Sequence, residues 1–442
     1  MFYRFVRATI RFALGLFYRL QVVFRAQDLD GPVMFVGNHN NSLIDPALVF
    51  VITERQVTFL AREPLFRAPV FGWVLRGLGA LPVYRKQDHP GLMEKNEGTL
   101  EAAAGALRDG KAIVIFPEGK SHSDPQMAEI KTGCARIALR VVKGGKPLRI
   151  VPVGLTYAQK HRFHSKVQVE VGEPLVVPPA PASGSPEEEA EWVRALTDQV
   201  AEKLRAVTLN LEEWADLKLI ETAENLYSLK IGEKAKDPER MRRFAQGVKL
   251  LRAEQPDRFE RIREDVMSFR MRLEMVNADP STLKLQYRKS EVARFIGRNL
   301  LAMTVGFPLF TLGVLLFFIP FWLVRLSARM LPLLKDRVGT YKFVASLLLT
   351  PIWQALLCWL AFRGWGVLGA VLALALAMPL ALYTRYFVER RRSAFGDVLT
   401  FFTIGSRSRL KQRLIFEGEA LAAQIEKVAD ELRPRVVGET AA

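Results

Sequence analysis

The sequence predicts an α/β domain with a mixed central sheet flanked by helices, then a helical extension and a C-terminal helical membrane region. Three observations carry that prediction. From Val33 to about Val177, short apolar runs ("PVMFVG", "KAIVIFPEG", "LRIVPVGLTY", "KVQVEVGEPLVV") alternate with helical patterns such as "EGTLEAAAGALRDG", the rhythm of strands separated by helices. Residues 187 to about 290 carry charges spaced at three and four, which reads as helix throughout. Residues 299–324 are uncharged, and 343–362 and 364–384 are two further apolar stretches; each is long enough to cross the hydrocarbon of a bilayer.

The N-terminal residues 1–29 resemble a signal peptide at first sight. Arginines interrupt them and no small-residue cleavage site follows, so the segment is expected to be retained. At 100° per residue, Arg4, Arg7, Arg11, Arg19 and Arg25 fall within one wedge of about 120°. That predicts an amphipathic helix in the membrane interface with arginines towards lipid phosphates. A helix packed on its own domain is the alternative. Residues 30–180 form the α/β domain, closed by the Pro-, Ser- and Gly-rich stretch 177–189. The extension 187–290 then opens on Ser185 as N-cap, with Pro186 at N1 and acids in the first turn.

Residues 299–386 make up the membrane region, and 390–442 a basic and then helical tail. Phe362, Arg363 and Gly364 join the last two apolar stretches, which predicts an antiparallel hairpin. Basic residues flank every side, among them Arg288, Arg298, Arg325, Arg337, Arg385 and Arg392. The positive-inside rule would place all three flanks in the cytoplasm, which three full spans cannot satisfy. Residues 299–324, interrupted by Gly306, Pro308 and Pro320, are therefore expected to be re-entrant or interfacial.

A chain of 442 residues has room for two or three domains. Lys and Arg number 63 against 46 Asp and Glu, a formal charge of +17, and 50% of residues are hydrophobic. Basic and apolar together favour an anionic membrane surface over nucleic acid. Cys134 and Cys358 are far apart and in no metal-type spacing, which points to reduced thiols in a cytoplasmic setting.

The chemistry begins at "VGNHNNSLIDPAL", residues 36–48. A carboxylate beside an imidazole fixes its tautomer and stabilises the imidazolium formed when it takes a proton, and His39 and Asp45 can supply that pair. Alone, the loop reads as a capped turn, with Asp45 as N-cap and Pro46 at N1, ahead of a catalytic pair. Three further blocks follow. "LPVYRK" carries Arg85, able to fork onto a phosphate; "IVIFPEGKSHS" carries Glu118, Gly119, Lys120 and Ser121 after a strand; "IVPVGLTY" carries Pro152 and Gly154.

In this order, "NHNNSLIDP", "GALPVYRK", "FPEGKSHS" and "VPVGLTY" resemble the four motifs of the PlsC-like phospholipid/glycerol acyltransferase family, over about residues 30–180. The resemblance implies a glycerol-phosphate acyltransferase-like fold. It implies His39 as general base, Asp45 as its orienting partner, and Arg85, Glu118, Gly119, Lys120 and Ser121 around the acceptor's phosphate. Pro152 would lie on the acyl-donor side. Two departures stand out. Five residues separate His39 from Asp45 where four are common, a longer form similar to bacterial members and to fungal-type glycerol-3-phosphate or dihydroxyacetone-phosphate acyltransferases. The Glu-Gly block continues Lys120-Ser121-His122-Ser123 instead of Thr-Arg-Ser. The membrane-rich C-terminal half leans towards the larger members of the family.

The resemblance implies direct acyl transfer from acyl-CoA or acyl carrier protein to glycerol 3-phosphate, dihydroxyacetone phosphate or 1-acylglycerol 3-phosphate, with no cofactor and no metal. Neither a Gly-x-Ser-x-Gly nor another obvious nucleophile accompanies His39, so the attacking hydroxyl would belong to the acceptor. Backbone amides around Asn38 to Ser42 are candidates for the oxyanion site. Membrane lipids are the expected partners, and the expected location is the inner membrane with the domain on its cytoplasmic side. Two other classes remain: a metal-dependent hydrolase using His39, Asp45 and His122, and a lipid-binding or scaffolding protein without catalysis.

Overall fold

The computed structural model spans the chain and describes all residues except Asp28, 85–93, Ser183, 234–236, Asn277, 279–288, 401–407 and Ala442. The chain divides into two compact units. One joins Met1–Asn210 to Pro332–Phe343; the other comprises Leu211–Leu331 and Val344–Ala442.

The first unit holds a mixed eight-stranded sheet. Its strands are β1 (Tyr18–Phe24), β2 (Val33–Gly37), β3 (Val57–Arg62), β4 (Leu81–Val83), β5 (Ala112–Ile115), β6 (Arg149–Tyr157), β7 (Ser165–Val171) and β8 (Leu175–Val176). The order is β1-β7-β6-β2-β5-β3-β4, with β8 on β6. Pairings are parallel except β6 with β7 and with β8. Helices α1 (Phe2–Phe17), α2 (Ile44–Ile52), α3 (Pro64–Arg67), α4 (Pro69–Gly77), α5 (Lys95–Arg108), α6 (Gly133–Lys143) and α7 (Pro186–Val207) surround it. β2 and β5 are buried along their whole length, as unbroken apolar strands are when a parallel sheet is covered on both faces. Met34, Val36 and Ile113 pack with Leu107 of α5, Ile137 of α6 and Leu204 of α7 in one apolar cluster. Cys134 sits in the same cluster, where burial pushes its thiol up to about 11. The helix opened by Ser185 is present, and the Ser185 hydroxyl accepts from the Glu188 N–H at 3.2 Å.

The N-terminal segment departs from the sequence reading. The helix stops at Phe17, and Tyr18–Phe24 becomes the edge strand β1, parallel to β7. "YRLQVVF" carries β-branched residues that satisfy either period in so short a run, and pairing with β7 decides for the strand. α1 also packs on its own domain: the Tyr3 ring meets Phe50 of α2 edge-on at 5.1 Å, and its hydroxyl accepts from the Val57 N–H at 2.9 Å. Phe5 and Phe12 remain exposed.

In the second unit, helices Asp216–Ile231, Pro238–Glu254, Pro256–Met275 and Ser408–Ala441 share a core that includes Leu226, Leu251, Phe259, Phe269, Leu414 and Ile425. The buried Glu224 carboxylate is matched there by Arg240 and by the Ser228 hydroxyl. A cavity of about 160 Å³ opens among these helices. The apolar stretches form a helix over Lys289–Met330 and a second helical run over Val338–Thr400. The latter leaves helical geometry at Trp365 and Gly366. Gln354 donates to the Ala373 carbonyl at 3.0 Å across 19 residues, which a straight helix would hold about 28 Å apart, so the chain doubles back there.

The expected interruption of 299–324 is absent. The helix runs through Gly306, Pro308 and Pro320. Each proline forfeits one backbone bond, a defect that an apolar helix in a bundle tolerates. The glycines serve close packing instead: a Cβ on Gly306 would meet the Tyr383 hydroxyl at 2.0 Å, and one on Gly313 the Thr384 hydroxyl at 1.9 Å.

Candidate active site

The loop between β2 and α2 holds His39 and Asp45 together despite its extra residue. His39 Nδ1 lies 2.9 Å from Asp45 Oδ2. Asp45 is not an N-cap: α2 begins at Ile44, and the Asp45 carboxylate points back to accept from the Asn41 N–H at 2.6 Å. Its other oxygen accepts from the Tyr157 hydroxyl at 2.5 Å. Asp45 is fully buried, and these donors replace the water it gives up. Burial, then the neighbouring Asp45 charge, push the Tyr157 hydroxyl well above its usual range, so it stays protonated and donates. The His39 ring stacks on Phe116 at 4.5 Å, and among the described residues its Nε2 has no hydrogen-bond partner.

Backbone geometry accommodates the long loop. Ser42 has φ +42°, a left-handed conformation that costs a non-glycine residue on the order of 1 kcal/mol. The Ile44 N–H closes a turn on the Asn41 carbonyl at 2.9 Å. The Asn38 amide reaches sideways to Leu155 of β6, donating to its carbonyl at 3.0 Å and accepting from its N–H at 2.7 Å.

Glu118 is 1% exposed, with both oxygens occupied by protein donors. Oε1 accepts from the His39 N–H at 2.6 Å; Oε2 accepts from the Ala128 N–H at 2.6 Å and from His122 Nε2. The His122 N–H donates to the His39 carbonyl at 3.1 Å, so the two loops are tied through both backbone groups of His39. The bond to Glu118 raises the pKa of His122 above the usual imidazole value. The two amides of His39 and Asn41 are thus committed to Glu118 and Asp45, which removes them from the Asn38–Ser42 set considered for an oxyanion.

An acyltransferase family model matches residues 19–156. Glycerol-3-phosphate O-acyltransferase 1 of Saccharomyces cerevisiae is 28% identical over 178 residues, covering 39% of this chain and 23% of that protein. The 1-acyl-sn-glycerol-3-phosphate acyltransferase of Streptococcus pneumoniae is 29% identical over 113 residues, 25% of this chain and 37% of that protein. Residues 19–156 thus form an acyltransferase-like domain. The chain spans less than a quarter of the length of the yeast relative. The solved structure of the 1-acyl-sn-glycerophosphate acyltransferase PlsC of Thermotoga maritima is 23% identical, with a TM-score of 0.32, over 46% of this chain and 81% of that one.

Within this acyltransferase domain the remaining sequence-predicted residues are placed unevenly. Gly119 adopts φ +69°, and a Cβ there would meet Lys131 Nζ at 2.9 Å, so the fold brings Lys131 to the Glu-Gly turn beside the exposed Lys120. The Ser121 hydroxyl donates to Asp336. Pro152 is buried in β6, opposite Val36 of β2, and its carbonyl accepts from the Gly172 N–H at 2.9 Å. Arg85 lies outside the described residues.

Three participants in the candidate site escape a motif reading. Tyr157 ends "VPVGLTY", where a tyrosine closing a strand carries no special signal. Lys160 donates to the Asn40 carbonyl at 2.8 Å and to the Ser123 hydroxyl at 3.0 Å, and burial lowers its pKa. Thr340 reaches the loop from 297 residues away. Among the described residues no three His, Cys, Asp or Glu side chains gather as a metal site.

Proposed function

We propose that the domain transfers a fatty acyl group from an acyl thioester, acyl-CoA or acyl carrier protein, to a hydroxyl of a glycerol-phosphate acceptor at a membrane surface, on the route to phospholipid. The observation that carries this reading is the buried Asp45 carboxylate, held by Tyr157 and Asn41 and set 2.9 Å from His39 Nδ1. A carboxylate so placed keeps the proton on Nδ1 and leaves Nε2 as the base.

His39 Nε2 takes the proton of the acceptor hydroxyl as its oxygen attacks the thioester carbonyl carbon. The tetrahedral intermediate collapses, the C–S bond breaks, and the leaving thiolate takes the proton back from His39. Atoms and charge balance without an enzyme nucleophile. Lys120 and Lys131 beside Gly119, with Arg85, supply positive charge for the acceptor's phosphate. Glu118 acts in this scheme by holding the His39 loop, since its oxygens are already engaged. The curated relatives bear the names of glycerol-3-phosphate and 1-acylglycerol-3-phosphate acyltransferases, which supports an acceptor of that class. We place the enzyme in the inner membrane with this domain on the cytoplasmic side, where basic flanks accumulate.

The test is an acceptor panel of glycerol 3-phosphate, dihydroxyacetone phosphate and 1-acylglycerol 3-phosphate, each assayed with one acyl-CoA and one acyl carrier protein donor. One pairing turns over, and His39→Ala loses about 10²- to 10⁴-fold or more in kcat, the usual contribution of a general base. Full activity of His39→Ala, or no transfer to any acceptor by the wild-type chain, overturns the proposal; the latter with retained lipid binding favours a non-catalytic scaffold.

A further inference from the structure

The segment Pro332–Phe343, which follows the first apolar helix and takes in the first residues of the second helical run, belongs to the same compact unit as the His39 loop. Its contacts converge on the residues between His39 and Asp45. The Thr340 hydroxyl donates to the Asn41 carbonyl at 3.2 Å and accepts from the Leu43 N–H at 3.1 Å. Those two backbone groups bracket Ser42, the residue held at φ +42°. One buried hydroxyl thereby uses its donor and an acceptor lone pair on either side of the strained position. Gly339 presses on the same place: a Cβ there would meet Asn41 Oδ1 at 2.7 Å and the Lys160 carbonyl at 2.8 Å. Asp336 accepts from Ser121 on the adjoining loop, and Phe343 packs edge-on against Phe17 at 5.8 Å.

We infer that Thr340 is a positioning residue for the His39–Asp45 pair: it pins the one-residue-longer loop in the conformation that brings the two side chains together. The inference rests on the acyl-transfer reading for its kinetic consequence, though not for its structural one. The physical case is direct. A left-handed serine relaxes unless its surroundings hold it, and the Asn41 N–H that binds Asp45 is in the residue preceding it. Loss of the hydroxyl takes the Thr340 acceptor from the Leu43 N–H and leaves the Asn41 carbonyl with the Ile44 N–H of the same loop, so nothing outside the loop holds these two groups and it can slip at the point that sets the His39 to Asp45 distance.

The experiment uses the full chain in lipid nanodiscs and compares Thr340→Val, which keeps shape and removes the hydroxyl, with Thr340→Ser, which restores it. Thr340→Val lowers kcat about 10- to 100-fold, the scale of a misplacement near 1 Å, with KM for donor and acceptor within about twofold. Thr340→Ser returns kcat to within about threefold of wild type, since the hydroxyl is what acts. In hydrogen–deuterium exchange, peptides covering residues 38–45 exchange faster in Thr340→Val and at the wild-type rate in Thr340→Ser. If Thr340→Val does not fold, Thr340→Cys, near-isosteric and weakly hydrogen-bonding, is judged by the same measures. An unchanged kcat and unchanged exchange in the hydroxyl-deleted variant, or a serine variant as impaired as the valine one, overturns the inference. Absence of transfer by the wild-type chain overturns the acyl-transfer reading alone, because the exchange comparison still decides the positioning role.

Discussion

His122 and Glu118 form a pH-sensitive tie under the His39 loop. Since the Glu118 bond raises the folded-state pKa of His122 above the unfolded value near 6.5, the tie favours the protonated imidazole. Its contribution to stability is fully present below about pH 6.5 and is lost as pH rises through the higher folded-state value. Thermal denaturation of the solubilised chain between about pH 6 and about pH 9 should therefore show the gap between wild type and His122→Gln largest at the acidic end and shrinking upward. A gap that widens with pH would show that the neutral imidazole is the stabilising form. At this scale the sequence disclosed His39, Asp45 and Glu118 because each stands in a short motif whose spacing is set by a strand end. It did not disclose Tyr157, Lys160 or Thr340, whose contacts with the loop span 112 to 299 residues and exist only once β6 and the 332–343 segment are in place.

Among the elements, β6 shows how a motif position can owe its identity to packing. Gly154 lies in the proline block, yet a Cβ there would stand 1.8 Å from the Val207 carbonyl at the end of α7. Gly172, after β7, is closed off by the same residue, 2.7 Å from Val207 Cγ1. The Val207 backbone cannot move aside by a change of rotamer, so Gly154→Ala must shift α7 against the sheet, at the upper end of the about 1–3 kcal/mol typical of overpacking. Denaturant unfolding should show that loss, and the fraction that stays folded should keep its KM. A variant as stable as wild type would mean that α7 does not seat on β6 this closely. The sheet was legible from its β-branched runs, and α7 from Ser185 and Pro186. β1 was not, because seven residues following a helix fit both periods until β7 supplies hydrogen bonds.

At the scale of the whole molecule, two apolar helices are long enough to cross a membrane. Within Ala293–Met330 and Val338–Arg391 the most apolar windows are only 6% and 11% buried by the protein itself. Leu301, Phe307, Leu315, Trp359, Leu368 and Leu374 are among the side chains left exposed. Both helices are long and apolar enough to cross a membrane, and side chains left so exposed fit a covering of lipid. The formal charge of +17 offers a second, weaker attraction to anionic headgroups. The two attractions separate experimentally. At about 1 M salt the Debye length falls to about 3 Å, which removes surface electrostatics and leaves apolar burial intact. Membranes washed with high salt and then with alkaline carbonate should retain the protein in the pellet, and only detergent should release it. Release by carbonate would mean that the helices lie on the bilayer surface, and release by salt alone that charge, not apolar burial, holds the chain there.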